Sequence, residues 1–274
     1  MTGRRGPRIA SVLTGFVLTA LYAPIALVVV NSFNADERLA SWGGVTFRWW
    51  VEAMNDTRIL EDLWLSLIVA SATTILSVSL ALADALWWRR ASSRARRLLD
   101  GVVFARIVLP EVVLALGLFL GAEQFGVPLG IAAIVIGQAV FCSAYATVLI
   151  QARLSTMGTE LEDAAADLGA PPGRILRGVT LPVLAPSVLA AGLMVLTFSL
   201  DDVVVAQFLG GTEAETLPVL LLGKIRLTVS PEINAIGTAL MLVTALPVIF
   251  LLSKGRLTVP GRRGRPPEGP ADAS

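Results

Sequence analysis

Acidic residues stand at places in this chain where apolar residues dominate, and carboxylates so placed hold cations. Asp201 and Asp202 lie near the end of a long apolar run, and Glu111 directly follows Pro110 inside another. Counting about 1.5 Å per residue from Val183, the pair sits roughly 27 Å along a helix, with apolar Val203 to Ala206 after it. A carboxylate at that depth is costly in hydrocarbon, so it faces a bundle interior or a watery vestibule, and two of them attract a di- or polycation. A second reading ends the span at Leu200 and lets the pair cap the next helix among the headgroups. Glu111 also has two readings, as a carboxylate beside a proline kink on a watery path or as the partner of Arg106. Asp84 is a turn from Trp88, Arg89 and Arg90, so an ion pair or snorkelling to the interface accounts for it. Trp42, Trp49 and Trp50 read as interface anchors, with stacking on cations as the alternative.

The residues that are absent exclude other chemistry. The chain has no His and a single Cys, so it forms no internal disulfide, performs no His-based acid–base catalysis and assembles no Cys/His metal site. Cys142 lies in an apolar run and reads as a packed thiol. No G-x-x-x-x-G-K-[S/T] phosphate loop occurs, so energy from ATP must come from another subunit. No catalytic residue, metal or cofactor is expected.

The elements that must position these acids are membrane spans. Hydrophobic residues make up 55% of the chain and the mean hydropathy is +0.73. Apolar runs near Ile9–Val30, Leu63–Trp88, Gly101–Gly121, Leu129–Ile150, Val183–Leu209 and Ala235–Ser253 approach or exceed the roughly 18 residues needed to cross hydrocarbon. A helix satisfies its own backbone there, so the reading is an all-α membrane protein with six transmembrane helices. Lys and Arg gather at the N-terminus, at 89–106, at 153–177 and after Ser253, leaving only Arg38, Arg48, Arg58, Lys224 and Arg226 elsewhere. The positive-inside rule then makes both termini and the 152–182 loop cytoplasmic. It also accounts for the basic clusters without nucleic acid. The first apolar run follows basic residues as in a signal peptide, but lacks a clear cleavage site and reads as an uncleaved span. The division is a tail over 1–8, a six-helix transmembrane body over 9–253 and a polar, Pro/Gly/Arg-rich tail over 254–274 expected to be disordered.

Between two apolar runs lies a polar island, 159–182. Thr159-x-x-Glu162 reads as a capping box opening a short helix. Leu161, Ala164, Ala165 and Leu168 share its apolar stripe, and Glu162, Asp163 and Asp167 take the other side. Gly169 closes the helix and Pro171-Pro172 stop it. A second short helix carries Ile175, Leu176 and Val179, and Leu181-Pro182 reads as a rigid corner into the next span. Such a hairpin either rests on lipid headgroups or docks a protein. Its acids make it a poor ligand for an anionic surface, which favours the protein.

The island resembles the E-A-A-x(3)-G-x(9)-I-x-L-P signature of permease subunits of bacterial ABC importers, with Asp163-Ala164-Ala165, Gly169 and Val179-Thr180-Leu181-Pro182 in its places. Asp163 replaces the Glu, with Glu162 beside it, and Val179 replaces the Ile. The resemblance extends along the chain to the second permease of spermidine/putrescine-type importers, through Asn31-Ser32-Phe33-Asn34, Leu109-Pro110-Glu111-Val112-Val113, Thr197-Phe198-Ser199-Leu200-Asp201-Asp202, Thr216-Leu217-Pro218 and Ser230-Pro231-Glu232-Ile233-Asn234. It implies a MetI-like, type I ABC importer permease fold in the bacterial cytoplasmic membrane. Glu162, Asp163, Ala164, Ala165, Leu168, Gly169, Val179, Leu181 and Pro182 would couple to an ATPase, while Asp201, Asp202 and Glu111 would line the substrate path. The implied partners are a homologous permease, two copies of the ATPase, an extracytoplasmic binding protein and membrane lipid. An ABC permease for another small solute, opine-like or amino-phosphonate, and a secondary transporter are the alternatives.

Overall fold

The computed structural model describes residues 6–253 other than Glu213 and Val229. The expected tail over 254–274 and the first five residues lie outside the described residues. In chain order the helices are α1 (Gly6–Asn31), α2 (Arg48–Asn55), α3 (Thr57–Arg90), α4 (Ser93–Val108), α5 (Glu111–Phe125), α6 (Ile131–Thr156), α7 (Glu160–Asp167), α8 (Pro172–Ile175), a π-helical turn (Leu176–Thr180), α9 (Leu181–Asp201), α10 (Val204–Leu209), α11 (Leu217–Leu227) and α12 (Pro231–Ser253). Four stretches among the described residues are long and apolar enough to cross a membrane, and the bent α4–α5 pair makes a fifth. The sixth expected span falls on α12. Side chains such as Phe16, Ile75, Phe104 and Leu120 are exposed on the outer surface, as hydrocarbon-facing helices require.

The centre is a bundle of α3, α6 and α9. Ala81, Ala85, Ala146 and Ala191 are buried between them with Ile150, Leu184 and Val195. Small residues at these crossings let the helix backbones approach closely. At the far end of α3 from Arg90, α11 closes the bundle, with Leu217, Leu220 and Leu221 against Ile233, Ile236 and Leu240 of α12. The Leu217 N–H donates to Ser66 Oγ of α3 at 2.8 Å, tying the two together.

Two expected spans are broken. The third bends by 101° between α4 and α5. Pro110 disfavours the helical region for Leu109, which sits at ψ 128°, and its missing N–H lets a new helix start at Glu111. The fifth stops at Asp201, and Asp202 is extended before α10 begins. The corner expected at Leu181-Pro182 is absent. Thr180 and Leu181 are helical, and the π-turn feeds straight into α9, with the Leu181 N–H bonded to Leu176 O. A π-turn shifts the backbone register by one residue and so absorbs the N–H that Pro182 lacks.

The segment between α1 and α2 is a folded loop. Asn34 Oδ1 accepts from the N–H groups of Asp36 and Gly43, and its Nδ2 donates to Ser41 O. Trp49 is buried and donates to Asn34 O at 2.8 Å, so it is part of this loop's core, not an interface anchor. Trp50 stacks on Phe33, while Trp42 is exposed.

Candidate functional site

The two helix breaks meet. Glu111 at the first turn of α5, Asp201 at the last residue of α9 and Asp202 in the break after it line one cavity of about 340 Å³ with Phe141, Tyr145, Phe198, Val203 and Val204. That volume is in the range of small-molecule sites, roughly 300–1,000 Å³. The chain folds this way because Pro110 and Asp202 each end one helix and start another. Glu111 gains from the positive end of α5. The Asp202 Oδ1 accepts the Val205 N–H at 3.0 Å and so caps α10. The capping reading of the acidic pair thus applies to Asp202, and it coexists with a place on the cavity wall. Glu111 and Asp202 line the same cavity, and carboxylates gathered in one cavity favour a proton or a cation among them.

The same cavity has an aromatic lining. Tyr145 packs edge-on against Phe141, with ring centroids 5.1 Å apart, and against Phe198 at 5.5 Å. Ring faces beside carboxylates form an environment for an organic cation.

Behind Asp202 lies a buried polar cluster that the sequence reading missed. Gln138 of α6 is 2% exposed. Its Nε2 donates to Asp202 Oδ2 at 2.6 Å, and its Oε1 accepts from Thr73 of α3 at 3.0 Å and Ser199 of α9 at 2.5 Å. One amide therefore joins the three central helices and fixes the carboxylate. A lone amide inside the apolar run over 129–150 was the available signal, because a buried polar group in a span needs partners.

Glu111 does not pair with Arg106. That guanidinium donates to Ser143 Oγ at 2.9 Å and Val140 O at 3.3 Å, and lies 3.8 Å from Asp84. Asp84 is thus partnered by Arg106 and not by the arginines that follow it in sequence.

The second candidate region is the hairpin of α7, α8 and the π-turn. Gly169 has φ 79°, and the N–H groups of Gly169 and Ala170 return to Ala166 O and Ala165 O, a left-handed closure that a Cβ would strain. Leu161 and Leu168 are 62% and 88% exposed, and Ala164 and Asp163 are also exposed. Ala165, Val179 and Leu181 are half-buried, and Pro182 is exposed. The expected capping box does not form. Thr159 is itself in the helical region and its hydroxyl caps nothing, since a side-chain cap needs extended backbone at that position. Glu162 instead turns inward and accepts from Arg89 Nη1 at 2.7 Å and Thr180 Oγ1 at 2.6 Å.

A membrane bundle with a broken-helix cavity and an uncovered hairpin defines a permease subunit, and comparison with known proteins gives the family. Residues 74–261 match the binding-protein-dependent transport system inner membrane component family. The chain belongs to that family: it is an inner-membrane permease component of an ABC importer and not an enzyme. It is 35% identical over 241 residues to the putrescine transport system permease protein PotI of Escherichia coli K12, covering 85% of each chain. It is 33% identical over 247 residues to the spermidine/putrescine transport system permease protein PotC of the same organism, covering 88% of this chain and 93% of that one. In fold it resembles a chain of a bacterial alginate ABC transporter in complex with an alginate-bound periplasmic protein, at a TM-score of 0.68 and 14% identity over 92% of this chain and 95% of that one. A chain of the methionine transporter MetNI in inward-facing conformations gives a TM-score of 0.57 at 17% identity over 72% and 92%.

Proposed function

We propose that this permease moves polyamines such as putrescine and spermidine inward by alternating access, as half of a membrane path completed by a homologous permease. The observation that carries the reading is the cavity lined by Glu111, Asp201 and Asp202 together with Phe141, Tyr145 and Phe198. A flexible di- or tricationic amine satisfies both sides of such a wall, its ammonium groups on the carboxylates and its methylene chain on the rings. The names of the relatives support the same solute class. The chain lies in the membrane with six spans over 9–253, both termini and the 152–182 loop in the cytoplasm.

Two copies of an ATPase grip the hairpin from the cytoplasm, one on this chain and one on its partner permease. Asp163, Ala164, Leu168 and Gly169 present the docking face, backed by Ala165. Closure of the ATPases moves the hairpin, and Val179, Leu181 and Pro182 carry that motion through the π-turn into α9, at whose far end Asp201 and Asp202 sit. A cation delivered by the extracytoplasmic binding protein meets carboxylates open outward with ATP bound, and is released inward after hydrolysis.

Uptake of labelled putrescine and spermidine by cells holding the companion subunits, with and without this chain, tests the proposal. Uptake that depends on the chain supports it. Uptake indifferent to the chain removes polyamines as its solute.

A further inference from the structure

Two adjacent acids of the hairpin line one pocket but differ in exposure and in their partners. Asp163 is exposed on α7. The Glu162 side chain is only 21% exposed and that of its partner Arg89 only 19%. A single oxygen, Glu162 Oε1, accepts from Arg89 Nη1 in the last turn of α3 and from the hydroxyl of Thr180. Thr180 is 4% exposed and is the last residue of the π-turn before α9. That oxygen is therefore the point where the docking helix, the end of α3 and the start of α9 are joined. With both donors in place Glu162 is turned away from a partner on the apolar stripe. The sites differ chemically as well, because a charged guanidinium bond to a half-buried carboxylate is stronger than an ordinary hydrogen bond.

We infer that Glu162 is a positioning residue, an internal latch that makes the hairpin move as one body with α3 and α9, while the neighbouring Asp163 meets the ATPase. This rests on the reading of the hairpin as the ATPase-docking element. The π-turn explains why a latch is needed. An unusual backbone turn between hairpin and span is a point of compliance, and without a side-chain tie across it a push on α7 would be absorbed locally. Glu162 ties α7 to Thr180 at the far end of that turn and to Arg89 of α3. Motion so transmitted reaches both helices whose Thr73 and Ser199 hold Gln138 beside Asp202.

The test uses the assembled importer in proteoliposomes, reading three quantities: ATPase co-purified per permease, ATP hydrolysis, and solute uptake per ATP. Glu162→Ala is expected to leave co-purification within twofold of the intact chain while uptake per ATP falls by about tenfold, the size of a coupling change of about 1.4 kcal/mol. Asp163→Ala is expected to do the reverse, lowering co-purified ATPase. Thr180→Val should lower uptake per ATP in the same direction as Glu162→Ala but less. Exchange of the pair, Arg89→Glu with Glu162→Arg, should recover part of the uptake that Glu162→Arg alone loses. The inference is overturned if Glu162→Ala loses ATPase as Asp163→Ala does, if it leaves uptake per ATP unchanged, or if the exchange recovers nothing. Absence of polyamine uptake by the intact chain would overturn the solute assignment, while a loss of co-purified ATPase in Glu162→Ala equal to that in Asp163→Ala would still overturn the latch.

Discussion

The hairpin and the cavity both present carboxylates beside apolar groups, yet they are built in opposite ways. On the hairpin the apolar residues are uncovered and flat, with Leu161 and Leu168 largely exposed on a helix of eight residues. In the cavity Asp202 is held from behind by Gln138 and the Val205 N–H, and the apolar partners are rings packed edge-on against one another. A protein partner brings its own surface and desolvates a face by covering it. A small cation cannot, so the groups of its site have to be oriented before the ligand arrives. On the function proposed above, the contrast separates a docking surface from a solute site within one chain.

Substitutions can break that contrast at either end. The largest effect is expected from Gly169→Pro, because φ 79° is closed to a ring fixed near −65°. The hairpin then loses its closure, and uptake in cells falls to background together with ATPase co-purification. Asp202→Asn comes next. Loss of a charge-assisted contact of about 1.5–3 kcal/mol predicts at least a tenfold fall in uptake of a cationic solute, with ATPase co-purification unchanged. Loss of co-purification there would show that the two regions are not separate. Gln138→Leu should raise the uptake KM severalfold and lower thermal stability by about 1–3 kcal/mol, since Thr73 and Ser199 lose a buried acceptor. A changed Vmax at constant KM would contradict a role in orienting Asp202. The smallest effect is expected from Tyr145→Leu, roughly two- to fivefold in KM, the worth of one ring face to a cation at about 0.5–1 kcal/mol.

The hairpin was largely legible in the sequence because its signals are local. Gly169, Pro171, Pro172 and the stripe of Leu161 and Leu168 act within a few residues of themselves. The direction of Glu162 was not legible, since its donors Arg89 and Thr180 are 73 and 18 positions away. The acids of the cavity were found one at a time from the cost of charge in an apolar run. Their meeting depends on two helix breaks and on Gln138, whose partners Thr73, Ser199 and Asp202 come from separate helices and from the α9–α10 break. The bend at Pro110 was anticipated as a kink, and Leu109 before the proline is extended as that residue pair favours, but the 101° angle is set by the packing of α5 and was not legible. The π-turn before Pro182 was likewise hidden, because a proline near a helix start reads equally as a corner or as a first turn.

The most direct measurement is uptake of labelled putrescine and spermidine in cells carrying the companion subunits, comparing the intact chain with Asp201→Asn and Asp202→Asn together, with co-purified ATPase assayed in parallel. The account predicts uptake lost and ATPase association retained. Uptake retained at the intact level in the double variant would contradict the claim that these carboxylates form the cation site.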